Sequence, residues 1–194
     1  MADSKVRFGL RAAYYAVLKE NGTYDTPVRM VGAQSIDVSN SGSDSDSLYG
    51  DDIVMYTANN GSSGKTIEVQ FSKIGRDFLK DVCGMTEDTA TGIISESPDD
   101  VGHSFAFGFE TTGDAGGMRT WVLENTATVP VHSPGTNTDS LTEDPDSATF
   151  TSKPHECADG KRRLSCFCEG GDSAYKDFFA KVPFQTAASG GSGR

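Results

Sequence analysis

Phenylalanine recurs at every second position in Phe105-Ala-Phe107-Gly-Phe109, and this alternation constrains the fold more than any other feature of the chain. Residues two apart share a face on a β-strand but point apart on a helix, so residues 103–111 read as a strand with one large apolar face and small or polar residues opposite. Residues 66–71 repeat the pattern with Ile67, Val69 and Phe71. Trp121 and Leu123 continue it after Gly113-Asp-Ala-Gly-Gly117, a hairpin-turn sequence. The first residues add two β-rich runs, 5–20 and 28–39, joined by the turn Asn21-Gly22-Thr23-Tyr24-Asp25-Thr26-Pro27. Further strands are expected at 53–57, 147–152 and 161–168.

Two stretches carry helical spacing instead. In residues 75–84 the apolar Phe78, Leu79 and Val82 fall on one helical face, and Gly84 is a C-terminal stop. In residues 172–182 a stripe of Tyr175, Phe178, Phe179 and Val182 follows Asp172 or Ser173 as N-cap, with Pro183 beyond the end. The expected architecture is mainly β: a sandwich or barrel with one or two short flanking α-helices and long loops. The 194 residues suit one domain, 1–188, with an N-terminal arm and a long loop near 39–62. Residues 189–194, Ser-Gly-Gly-Ser-Gly-Arg, read as a flexible tail or an expression scar.

The formal charge of −11 is not spread evenly. Between Asp81 and Ser152 stand 13 acids and a single base, Arg119, so this segment carries the whole net charge and the remainder is close to neutral. Such a field repels nucleic acid and disfavours DNA binding there; a solvated, solubilising face is the plain alternative. No apolar run reaches the ~18 residues that span a bilayer, and the first residues lack the apolar stretch of a signal peptide, so the expectation is cytoplasmic folding with Cys83, Cys157, Cys166 and Cys168 as free thiols.

Catalytic and ligand-binding patterns are weak. Gly61-Ser-Ser-Gly-Lys-Thr66 resembles the end of a phosphate-binding loop, but Asn59 stands where that loop needs glycine, and a strand follows where it needs a helix. His155, Cys157, Cys166 and Cys168 lie within fourteen residues. A hairpin turning at 158–161 would pair Cys157 with Arg162 and Cys166 with Lys153, leaving the thiols about 13 Å apart, too far for zinc. Cys166 and Cys168 then read as small core side chains on one strand face. His103 and His132 fall in no nucleophile motif. No catalytic residue, cofactor site or metal site is assigned.

Taken in order, several segments resemble the major tail proteins, or tail-tube proteins, of long non-contractile-tailed bacteriophages and related prophages. They are Lys5-Val-Arg-Phe-Gly-Leu10 with Tyr14-Tyr-Ala-Val17 and Gly22-Thr-Tyr-Asp-Thr-Pro27, then Leu48-Tyr-Gly-Asp-Asp-Ile53, Gly64-Lys-Thr-Ile-Glu-Val69, Asp77-Phe-Leu-Lys-Asp-Val-Cys-Gly84, Ala148-Thr-Phe-Thr-Ser152 and Tyr175-Lys-Asp-Phe-Phe179. The resemblance implies a virion structural subunit, not an enzyme, that forms hexameric rings stacked into a tail tube. It implies homo-oligomers, tape-measure and tail-terminator partners, double-stranded DNA passing through the lumen without specific binding, no membrane, and assembly in the host bacterial cytoplasm. On that basis the subunit-interface candidates are Ser41, Asp44, Asp46, Tyr49, Asp51 and Asp52, in a loop too long and polar to serve a core. The lumen-acid candidates are Asp99, Asp100, Glu110, Asp114 and Glu124, since an electronegative bore lets DNA slide. The competing readings are a carbohydrate- or receptor-binding β-sandwich and a capsid-decoration or head-tail connecting protein. Exposed aromatics in a groove would favour the binding module, whereas Trp121 reads as core.

Overall fold

The computed structural model describes residues 7–42, 45–50, 53–59, 62–113, 116–132, 134–135 and 143–185. In chain order the elements are β1 (Arg7–Val17), β2 (Val28–Met30), β3 (Ala33–Ser41), β4 (Ser45–Gly50), β5 (Ile53–Asn59), β6 (Gly64–Phe71), α1 (Arg76–Asp81), β7 (Thr86–Glu87), β8 (Ile94–Ser95), β9 (Phe105–Gly113), β10 (Met118–Ala127), β11 (Asp146–Ser152), β12 (His155–Glu156), β13 (Arg162–Arg163) and β14 (Ser165–Glu169). Seven strands form one antiparallel path, β2-β1-β9-β10-β11-β6-β3, and β14 adds to β10 as the eighth. The alternating phenylalanines deliver what alternation requires. Phe105, Phe107 and Phe109 face one core with Ile67, Val69, Phe71, Phe150 and Phe78, all buried.

β10 explains why the sheet is not flat. Its residues Met118 to Val122 pair with β14, while Asn125 to Ala127 pair with β11 along the same edge. Between them the register with β9 shifts, and Glu124 takes φ 46, a left-handed conformation uncommon outside glycine that marks a bulge. Buried Asn125 bridges the interruption: its Nδ2 donates to the carbonyls of Phe105 (3.0 Å) and Val122 (2.8 Å). The β11-β6-β3 arm therefore diverges from β14, and the inner sides of the two arms face each other.

The central strands are covered on both faces. Behind β9 and β10 lies a second core of Ala16, Tyr24, Ala106, Trp121, Leu123, Cys157, Cys168, Phe178 and Val182. Trp121 stands opposite Gly108 in the ladder, and a Cβ at Gly108 would come within 2.8 Å of the indole ring. The small residues between the phenylalanines thus make room for Trp121. By contrast β6 keeps Glu68 and Gln70 in solvent, the simple inside-outside alternation of a strand covered once.

Two expectations need correction. Residues 28–39 are not one strand: β2 pairs with β1, the chain breaks at Val31-Gly32, and β3 crosses to pair with β6. The carbonyl of Gly32 accepts the Ser72 amide (2.8 Å), which ties the crossing point to the end of β6. Residues 172–182 form successive turns with three-residue hydrogen bonds (Tyr175 N to Asp172 O, Phe178 N to Tyr175 O, Ala180 N to Asp177 O), not an α-helix. Side chains of β10 donate to carbonyls along these turns. Arg119 Nη1 donates to the carbonyls of Tyr175 and Lys176, and Trp121 Nε1 donates to that of Phe178 (2.9 Å). The apolar stripe still does its work: Phe179 stacks on Tyr14 at 4.5 Å, and Phe178 and Val182 are buried. The shorter helix α1 forms where expected, with Asp77 in its first turn, Lys80 in its last, and Phe78 buried edge-on against Tyr15 (5.3 Å) and Phe105 (5.6 Å).

Candidate assembly surfaces

Ser41 ends β3 opposite Gly64, and its carbonyl accepts the Ser63 hydroxyl at 3.2 Å. Asp46 and Tyr49 belong to β4, whose only ladder partner among the described residues is β5. Asp44, Asp51 and Asp52 lie outside the described residues. This region is therefore a two-stranded hairpin rather than the loop expected at 39–62, and an isolated two-stranded ribbon is marginal in water without a further surface to pack on.

The acid candidates divide into two environments. Asp99 is exposed and Asp100 half-buried in a turn, where the Asp100 carboxylate accepts the Ser97 amide (2.7 Å); neither has a cationic partner among the described residues. Glu110 is buried at 4% exposure, held by Arg119 Nε at 2.9 Å with Arg11 at 3.6 Å and the Tyr175 hydroxyl at 3.3 Å. Glu124 is paired with Lys153 (2.9 Å) and with His155 Nδ1 (2.9 Å). Asp114 lies outside the described residues. Other acids of the segment are engaged inside the subunit as well. Asp146 accepts the Ile74 amide (2.7 Å), and Glu87 pairs with Lys80 (2.8 Å) and Arg76 (3.4 Å), which holds its carboxyl below the usual range. Part of the acid excess is thus structural, held by Arg119, the lone base of that segment, and by bases outside it.

The cysteines are packing groups. Glu156 pairs with Arg162 and His155 with Arg163, one step off the register expected for a turn at 158–161, and Cys166 pairs with Trp121 on β10 instead of with Lys153. Cys157, Cys166 and Cys168 join the second core. Burial, with help from Cys157 and Cys168, pushes the Cys166 thiol up to about 12, and burial beside Glu96 pushes Cys83 up to about 11, so neither is a thiolate at neutral pH. Gly64 has a structural reason too: a Cβ there would lie 2.5 Å from the Ser152 carbonyl, so the glycine serves strand contact in β6. His103 lines an open groove of about 530 Å³ beside Asp25, Lys80 and Asp81, with no serine or cysteine among its walls.

The feature that sequence reasoning missed is a groove of about 370 Å³ in the gap between the diverging arms. It is walled by Ile36 and Val38 of β3, Lys65 of β6, Phe109 and Thr111 of β9, Met118, Thr120 and Val122 of β10, and Ser165 and Phe167 of β14. Phe167 is 65% exposed and Val38 41%. The hydroxyls of Thr111 and Thr120 are buried without a hydrogen-bond partner among the described residues. Local pattern carried one trace of it, an aromatic between Cys166 and Cys168 on the face opposite the thiols.

Among the described residues the geometry offers antiparallel sheets with open outer edges, a two-stranded β4–β5 ribbon and an exposed apolar groove. In the family comparison, residues 9–185 match the phage tail tube protein family, and the chain belongs to it. It is thus a structural protein of a bacteriophage virion tail. The chain matches no curated protein. No helix among the described residues is long and apolar enough to cross a membrane.

Proposed function

We propose that this subunit assembles into stacked hexameric rings that form the tail tube, the conduit through which DNA leaves the virion. The observation that carries this reading, beside family membership, is the set of unpaired edges. Among the described residues the outer edges of β2, β3 and β14 have no ladder partner, and β4–β5 pairs with no third strand. Exposed edges of this kind template pairing with another chain, and ring closure satisfies them. Ser41, Asp44, Asp46, Tyr49, Asp51 and Asp52 act at the contact between subunits, where a neighbour supplies the surface the hairpin lacks. Asp99 and Asp100, with uncompensated charge, are the acids that fit an electronegative bore best; Glu110 and Glu124 contribute less, because cations of the same subunit neutralise them. Asp114 remains a lumen candidate. The subunit performs no catalysis, and tape-measure and tail-terminator proteins are its partners, with assembly in the host cytoplasm.

Electron microscopy of the concentrated protein tests the reading. Rings or tubes of uniform width are expected. Dispersed monomers that bind glycans would favour a β-sandwich binding module instead.

A further inference from the structure

We propose that the groove between β3 and β14 is the seat of a second copy of this chain, which inserts the tip of its β7–β8 hairpin, from Ile93 to Glu96. The inference rests on the self-assembly reading above and gives it a specific contact. The inter-sheet core is closed at one end by α1, whose Phe78 packs against Phe105 and Phe150. At the other end no element does so among the described residues. Phe109, Met118, Val122 and Ile36 line the groove, Val38 and Phe167 form exposed lips, and two buried hydroxyls lack partners among the described residues. An apolar opening bordered by two unpaired strand edges is an unfinished core.

Charge and position select the occupant. Lys65, the groove's cation, donates to Asn40 Oδ1 at 2.9 Å and has no carboxylate partner among the described residues. The complementary surface is 93–96, in a stretch, 86–104, that contains no lysine or arginine; it exposes Ile93 (63%) beside exposed Glu96. It lies at the α1 end of β9: His103 N donates to Val82 O (2.8 Å), and Phe105 begins the strand. The groove lies at the far end of the same strand, at Phe109 and Thr111, about 20 Å away at ~3.3 Å per residue. The two surfaces therefore meet only between molecules. Such a head-to-tail contact uses different patches on each partner and propagates into rings or filaments. Opposite charge around apolar anchors sets its register.

The test compares the assembly concentration of wild type with Phe167→Asp, Lys65→Glu and Glu96→Lys, by sedimentation and electron microscopy, with Trp121 emission as the check on folding. Phe167→Asp alters an exposed side chain and is expected to raise the concentration needed for assembly about tenfold or more. Lys65→Glu and Glu96→Lys should each weaken assembly, and an equimolar mixture of the two should recover it, because every contact in an alternating copolymer is then between opposite charges. Recovery by mixing supports the seat even if Phe167→Asp proves unstable. Variants that assemble like wild type, or single charge reversals that mixing fails to rescue, overturn the proposal while leaving self-assembly intact. A wild-type chain that stays dispersed overturns both.

Discussion

Gly108 shows how much a single position carries. It sits between Phe107 and Phe109, and the missing side chain is the space that Trp121 occupies. Substituting Gly108→Ala places a Cβ about as close to a rigid, fully buried ring as two atoms can come, so the strand or the indole must move. The expected cost is about 1–3 kcal/mol, the range for overpacking a well-filled core. Urea unfolding followed by Trp121 emission measures it, and a midpoint equal to wild type would show that the indole relaxes freely. Glu124 carries the other concentrated constraint. Its left-handed backbone turns β10 from one partner strand to the next, and its carboxylate is held by Lys153 and buried His155. A residue that sequence reading set down as a bore acid is, within the subunit, a hinge of the sheet.

Among elements, residues 172–182 depart from local pattern. The apolar spacing is helical and the caps are suitable, yet the backbone runs in successive turns whose carbonyls at Tyr175, Lys176 and Phe178 accept from Arg119 and Trp121. Arg119 also neutralises Glu110 and stacks over the Tyr175 ring at 4.2 Å. Replacing Arg119→Met leaves Glu110 buried with the exposed Arg11 as its remaining cation beside the Tyr175 hydroxyl, a loss of about 3–5 kcal/mol for breaking a buried pair from one side. Hydrogen exchange should then show the amides of 175–182 losing protection before those of β9. Equal loss across both would mean that the segment and the sheet open together. The β4–β5 hairpin makes the complementary case, an element with too little to hold it in isolation. Deleting residues 41–47 should weaken tube formation while the monomer keeps its unfolding midpoint; undiminished tubes would remove the hairpin from the assembly contact.

The whole molecule carries a pH signature. Burial raises the thiols of Cys83 and Cys166 and the phenols of Tyr15 and Tyr24 above their ordinary values. All four are held neutral in the native state. An unfolded thiol ionises near its usual ~8.5, so above that pH the unfolded chain releases protons that the native chain keeps, and stability falls as pH rises. The native advantage is complete below about pH 8 and is lost progressively through about 11 for Cys83 and about 12 for Cys166. Thermal midpoints measured between pH 7 and 11 should be flat at first and then decline, with a shallower decline for Cys83→Ala. A midpoint constant to pH 11 would show that these groups ionise without unfolding cost.

Much of this molecule was legible in local pattern. Phe105-Ala-Phe107-Gly-Phe109, Ile67-Glu-Val69-Gln-Phe71 and Trp121-Val-Leu123 announce strands and their buried faces because a two-residue period is a property of the chain itself. The short helix at Phe78 and the strand at Gly64-Lys65 were legible in local spacing too, and the family resemblance lay in the order of whole segments. Three things were decided only in three dimensions. Which acids stay charged toward solvent depended on cations from other parts of the chain, Arg119 for Glu110 and Lys153 for Glu124. Residues 172–182 run in turns whose carbonyls accept from donors more than fifty residues away. The groove beside Phe167 exists because a bulge at Glu124 sends β11 and β14 apart, and its walls come from five strands. Sequence by itself determined the elements and the buried faces, since those depend on neighbours a few bonds apart. The folded structure decided how charges pair and where a partner can sit, since those depend on which distant residues share one low-dielectric space.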